Sequence, residues 1–309
     1  MIKHIFIFVF LCGFLLSNTA CDNDDNIIPV KKDDPPKEEE EEPGEDIKDD
    51  SPLLPVFIKR TYVLNADPFH DNIDSVVFTY DHLNRLVRRS TTTSFIYHET
   101  KKEQVGYQSI LNIVYNTNGT ITTTDSLYYN YDKEKEVRLV NVRIYQPDTS
   151  QVHITLNDNL KESIELKKGR PVKYNKISLY PSAGSPYSYS TGKYSYNEKG
   201  NIITHADIPG IKYEQRFKYD NHNGIFKHLN MPPWLIVDIL GIEHLRNNMT
   251  KQYSVFSGET MLSNYNEYKY NSNGYPVEIN DRPAPDMIGY WGSRSIVEYI
   301  PAILLPLAE

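Results

Sequence analysis

Cysteine is almost absent from this 309-residue chain: there are two, Cys12 and Cys21, and none beyond. Residues after Cys21 therefore form no disulfide among themselves and no thiolate metal site, and their stability must rest on burial and hydrogen bonding. Charge of one sign is missing from most of the chain as well. The net charge of −8 belongs to residues 22–50, which carry 14 acidic side chains against four lysines, whereas residues 51–309 carry 27 acidic and 28 basic ones. A near-neutral body without a basic stripe excludes nucleic acid as the main partner. There is no apolar run long enough for a membrane-spanning helix, which needs about 20 residues. Phosphate-binding glycine loops, Gly-x-Ser-x-Gly elbows and His-Glu-x-x-His are missing too, so no catalytic residue, metal or cofactor is indicated.

What is present is tyrosine, 24 in all and none before residue 60. Together with many threonines it favours strands, and with hydrophobics at 39% it points to a thin core built in part from tyrosine. Six of these tyrosines open a recurring phrase: Tyr80, Tyr115, Tyr131, Tyr196, Tyr219 and Tyr270. Each is followed by Asp or Asn, namely Asp81, Asn116, Asp132, Asn197, Asp220 and Asn271. Two residues earlier stands a large apolar or aromatic side chain, on the same strand face as the tyrosine. The Asp or Asn side chain bonds the backbone two residues on and starts a turn. Four past the tyrosine come Asn84, Gly119, Lys135, Gly200, Asn223 and Gly274; five of the six suit the positive φ that ends a type I turn with a bulge. The phrase predicts a β-hairpin six times over, and Lys167–Val172 reads as a degenerate seventh turn.

The copies are unevenly spaced, which excludes a solenoid of fixed period. The expected fold is all-β: an antiparallel meander of such hairpins, curled into a soluble barrel or a strongly curved sheet that hides its edges. Threonine runs such as Thr91-Thr92-Thr93 interrupt the apolar band that a lipid-facing barrel wall requires. One segment breaks the pattern. Residues 232–246, apolar nearly all round and opened by Pro232-Pro233, predict a short buried helix that Asn247-Asn248 can stop. It reads either as a plug of the curled sheet or as a ligand lid, with Trp234 and, elsewhere, Trp291 as platforms for stacking a ligand. His222, His228 and His244 gather around it at spacings that fit no zinc template.

The start of the chain carries an address. Lys3 precedes an apolar run from Ile5 to Leu16 and then Ser17-Asn18-Thr19-Ala20-Cys21, the layout of a secretory signal. Cysteine directly after Thr-Ala resembles a bacterial lipoprotein signal, although Asn18 replaces the usual Leu; ordinary secretion with Cys21 incidental is the alternative. The resemblance implies residues 1–20 as signal peptide and lipidation of Cys21, hence membrane attachment through that lipid. Residues 21–52 then form an acidic, disordered tether, and residues 53–309 one β domain. The tether resembles the export signal of Bacteroidota lipoproteins displayed on the cell surface, against the plainer reading of a solvated spacer. Asp74-Ser75-Val76 and Asp125-Ser126-Leu127 resemble O-glycosylated tripeptides of the same bacteria.

Tyr80-Asp81 with Asn84-Arg85-Leu86 resembles the YD-repeat family of large β shells. The set Tyr219–Asn230 followed by Asn247-Asn248-Met249-Thr250-Lys251 resembles a Bacteroidota lipoprotein family of unknown function with a porin-like β fold, whose members usually show Asn-Pro-Phe-Lys where this chain has Gly224-Ile225-Phe226-Lys227. The resemblance implies fold and an outer-membrane location facing the exterior, and brings no catalytic residue. The function expected is non-catalytic binding or structure at the envelope, with a glycan or an envelope protein as partner. The alternative is an envelope enzyme such as a glycan hydrolase.

Overall fold

The computed structural model of the protein describes residues 51–63, 70–129, 136–178, 188–208, 213–241, 246–285 and 292–303. Cys21, Tyr131, Asp132, Trp291, His244 and the stretch 242–245 of the expected helical insert lie outside them.

The first half of the chain holds strands β1 (Leu53–Val63), β2 (His70–Tyr80), β3 (Leu86–Tyr97), β4 (Glu103–Tyr115), β5 (Ile121–Tyr129), β6 (Glu136–Pro147), β7 (Gln151–Leu156) and β8 (Leu160–Lys167). In the second half come β9 (Arg170–Ser178), β10 (Ser188–Tyr196), β11 (Ile202–Ile208) and β12 (Tyr213–Tyr219). A helix, α1 (Pro233–Leu240), precedes β13 (Met249–Phe256), β14 (Glu259–Tyr270), β15 (Pro276–Pro283) and β16 (Gly292–Pro301). Every strand pairs antiparallel with its neighbour in sequence, and β1 also pairs with β16, Leu53 opposite Pro301. The sheet is therefore a closed barrel rather than an open curved sheet.

The repeated phrase makes its turns as expected at four of the five copies described. At the first, Leu83 N and Arg85 N donate to Asp81 Oδ1 at 2.9 and 3.0 Å, and Asn84 takes a positive φ of 59°. Asn116, Asn197 and Asn271 head equivalent turns closed by Gly119, Gly200 and Gly274, each with positive φ. Lys168 and Gly169, at φ 52° and 72°, form the degenerate turn between β8 and β9.

The copy at Tyr219 is not a hairpin, and this corrects the sequence reading. It begins as the others do: His222 N donates to Asp220 Oδ1 at 3.0 Å. The residue that closes the turn, however, is Asn248, which exchanges backbone and side-chain bonds with Asp220 as Arg85 does with Asp81. Residues 221–247 are thus spliced into the turn. The departure occurs at Asn223, which is absent from the positive-φ positions and sends its N–H to Gly274 O at 3.1 Å instead of back to Asp220 O. The insert contains α1, with Pro233 in its first turn; the helix ends at Gly241, φ 88°, well before Asn247-Asn248. Its distal loop reaches the first hairpin turn, where Asn230 N donates to Asn84 O at 3.1 Å and Asn230 Nδ2 to Leu83 O at 2.9 Å.

The core lies inside the barrel at this end. Trp234, Leu235 and Ile236 of α1 pack in one buried cluster with Ile58, Leu111, Tyr145, Ile154, Tyr174 and Val297 of β1, β4, β6, β7, β9 and β16, and Val237 packs in a second with Ile202, Phe217 and Met249 of β11, β12 and β13. A 16-stranded barrel is wide enough to leave an aqueous channel; here the insert and the tyrosines fill one end of it. The outer face, by contrast, carries exposed charges on many strands, including Lys59, Lys161, Lys193, Arg216 and Arg294. Such a surface does not fit a lipid-facing wall.

Candidate functional site

The inward tyrosines do more than pack. Tyr115 Oη donates to Leu86 O at 3.1 Å, Tyr196 Oη to Pro171 O at 2.6 Å and Tyr219 Oη to Ile202 O at 2.8 Å. Tyr80, Tyr268 and Tyr299 do the same to Pro55, Met249 and Pro276. Each phenol sits near the end of an even-numbered strand and bonds a carbonyl near the start of the preceding odd-numbered one, so the ring of tyrosines ties hairpin to hairpin. Burial pushes the phenols of Tyr80, Tyr115, Tyr196 and Tyr299 well above the ordinary 10, which keeps them donors. Tyr270 departs from the pattern and donates to Asp220 instead.

The plug is tied to the wall by charge. Asp238 of α1 meets Lys176 of β9 at 2.6 Å and accepts from Tyr145 Oη of β6 at 2.8 Å. At the other side of the helix Arg89 of β3 donates from Nη1 to Ile239 O at 2.6 Å, a cation on the electronegative helix end. Trp234, 4% exposed, has its ring 5.6 Å from that of Tyr145 and faces the core, which fits the plug reading of the helix.

Below the plug the lumen changes character. A chamber of about 370 Å³ has one polar wall, made by Arg60, Asp74, Arg89, Thr91 and Ser109 on the first four strands. Its other wall is apolar: Ile58, Val76 and Phe78 from the barrel, with Ile225, Phe226 and Leu240 from the insert. The volume is in the range of small-molecule sites, which are mostly apolar with a few placed polar groups. The polar wall is organised. Asp74 accepts from Tyr62 Oη at 2.8 Å and from Thr93 Oγ1, and Asp125 accepts from Ser109 Oγ at 3.0 Å. Arg60 Nε donates to Ser295 Oγ at 3.2 Å and also lines a second, smaller space of about 90 Å³ with Gln252, Asn264, Asn266 and Asp281.

None of these lumen residues was marked by sequence motif. Asp74 and Asp125 stood out only beside Ser75 and Ser126 as glycosylation tripeptides; Ser126 is 8% exposed. The turn residues Asp81, Asn116, Asn197 and Asn271 lie at the barrel rim, each engaged in its own turn. His222 stacks on Tyr270 at 3.9 Å, and the ring of His228 lies 6.1 Å from that of Tyr275. Among the described residues no group of three His, Cys, Asp or Glu is placed to hold a metal ion.

The crystal structure of a porin-like protein from Bacteroides uniformis aligns with 81% of this chain and 99% of that one, at 14% sequence identity and a TM-score of 0.37. No family model matches the chain, and no curated protein matches it.

Proposed function

We propose that this chain is a lipid-anchored protein of the bacterial envelope, carried at the cell surface on residues 21–52, whose barrel binds a small ligand in its lumen without catalysis. The observation that carries the binding reading is the chamber of about 370 Å³ with its opposed polar and apolar walls. Sequence features support the location: the cysteine after Thr-Ala and the acidic run behind it. The chain enters the barrel at Leu53, on the plugged end with the Asp81 and Asn271 turns.

The test of binding is native mass spectrometry of the mature chain, with Cys21→Ser to remove the lipid, after incubation with an envelope extract. A bound small mass that disappears in a Ser109→Trp variant supports the reading. A chain that stays bare, or a mass retained in that variant, removes it. Protease shaving of intact cells tests the location independently: residues 51–309 should be cleaved while a periplasmic control survives.

A further inference from the structure

The charged groups at the chamber, Arg60, Asp74 and Arg89 on its wall with Asp125 close to Arg89, are unequally used. Asp74 already accepts two hydroxyl bonds and Asp125 one. Arg89 is half-buried and has one hydrogen bond among the described residues, from Nη1 to Ile239 O. A guanidinium has five N–H donors in a planar fork, and one of them satisfies the helix carbonyl. Nη2 and Nε have no hydrogen-bond partner among the described residues, and Arg89 lines the chamber; burial pulls its pKa down against the opposing effect of Asp125. A partly desolvated cation with unused, pre-aligned donors beside an apolar wall is a recognition element for a planar anion.

The apolar wall begins where that fork ends. Phe78 and Phe226 meet edge to face at 5.7 Å, and Leu240 follows Ile239, the residue whose carbonyl Arg89 holds. A ligand seated on the fork therefore has an aliphatic or aromatic body only where these three side chains replace water.

Taking the lumen reading as its base, we infer that the chamber accepts a small amphipathic carboxylate, its head on the free edge of Arg89 and its apolar body along Phe78, Phe226 and Leu240. The experiment is isothermal titration calorimetry on the mature Cys21→Ser chain with three probes of one chain length: octanoate, 1-octanol and octylamine. Octanoate should bind at least tenfold more tightly than either of the others. Arg89→Gln should abolish that preference, bringing octanoate down to the level of 1-octanol in the same variant, whereas a merely structural role for Arg89 would weaken all three probes alike and leave the preference in place. Ser109→Trp, on the polar wall and away from the helix, should abolish binding of all three. Equal or weaker binding of octanoate, or a preference that survives Arg89→Gln, overturns the carboxylate assignment and leaves lumen binding standing. Failure of all three probes, while an extract mass still binds and is lost in Ser109→Trp, overturns it in the same way. Octanoate binding that Ser109→Trp does not touch places the ligand outside the chamber and overturns both readings.

Discussion

The two halves of the lumen are made by the same strands with the same in-and-out alternation, yet their inward positions carry different chemistry. At the plugged end these are Phe78, Ile113, Tyr115, Tyr145, Phe217 and Tyr268, closed by the insert. Beyond them stand Arg60, Asp74, Thr93, Ser109, Asp125 and Asn264. The first half gives the barrel its burial free energy, at about 25 cal/mol per Å² of apolar surface. The second gives little of that and spends its polar groups on one another and on a chamber. One closed end thus frees the other from the demands of core packing.

Substitutions can break or sharpen this contrast. The largest effect is expected at the plug: Leu235 is fully buried, and Leu235→Ala should cost about 3 kcal/mol in urea unfolding. Next comes the interrupted turn, where Asp220 accepts from His222 N, Asn248 N and Tyr270 Oη. Asp220→Ala leaves these donors orphaned and should cost about 2 kcal/mol by the same measurement. Tyr115→Phe removes one bond of the tyrosine ring and should cost about 1 kcal/mol. In the polar half, Thr91→Val should leave stability within about 0.5 kcal/mol of the parent. A loss comparable to that of Leu235→Ala there would erase the contrast.

The smallest effect lies outside the barrel. Hydrogen bonds from Arg294 at 2.8 Å, Lys269 at 3.1 Å and Asn280 at 3.2 Å hold the Glu278 carboxyl at about 2, down from the ordinary 4.5. Its folded pKa is depressed, so its contribution is complete above the unfolded value and is lost as pH falls from 4.5 towards 2. Glu278→Gln should flatten the melting temperature against pH across that window, lowering it slightly at neutral pH and leaving it nearly unchanged at the acid end.

Much of the rim was legible in the sequence because turns are local. Asp81, Asn116, Asn197 and Asn271 need only partners a few residues away. The copy at Tyr219 misled because its closing partner, Asn248, is distant in sequence, and because Asn223 differs from Asn84 in backbone conformation and not in residue type. Strand number was hidden for a related reason: Asp148 and Asn157 make turns that lack the tyrosine phrase. The chamber was invisible. Its polar wall draws only one or two residues from each of four strands, and which face each occupies depends on bulges such as those at Tyr80 and Ser94 that shift the register by one.

The seam between β1 and β16 has a kinetic consequence. Every other pairing joins neighbours in sequence and can form before the chain is complete, but Leu53 waits for Pro301. Closure of that long-range contact is therefore the last and slowest event of folding. Until it happens β1 is an open edge with unpaired backbone groups, the place where an unfinished or truncated chain pairs with its neighbours. Translation that stalls before residue 292 would release chains with that edge still exposed.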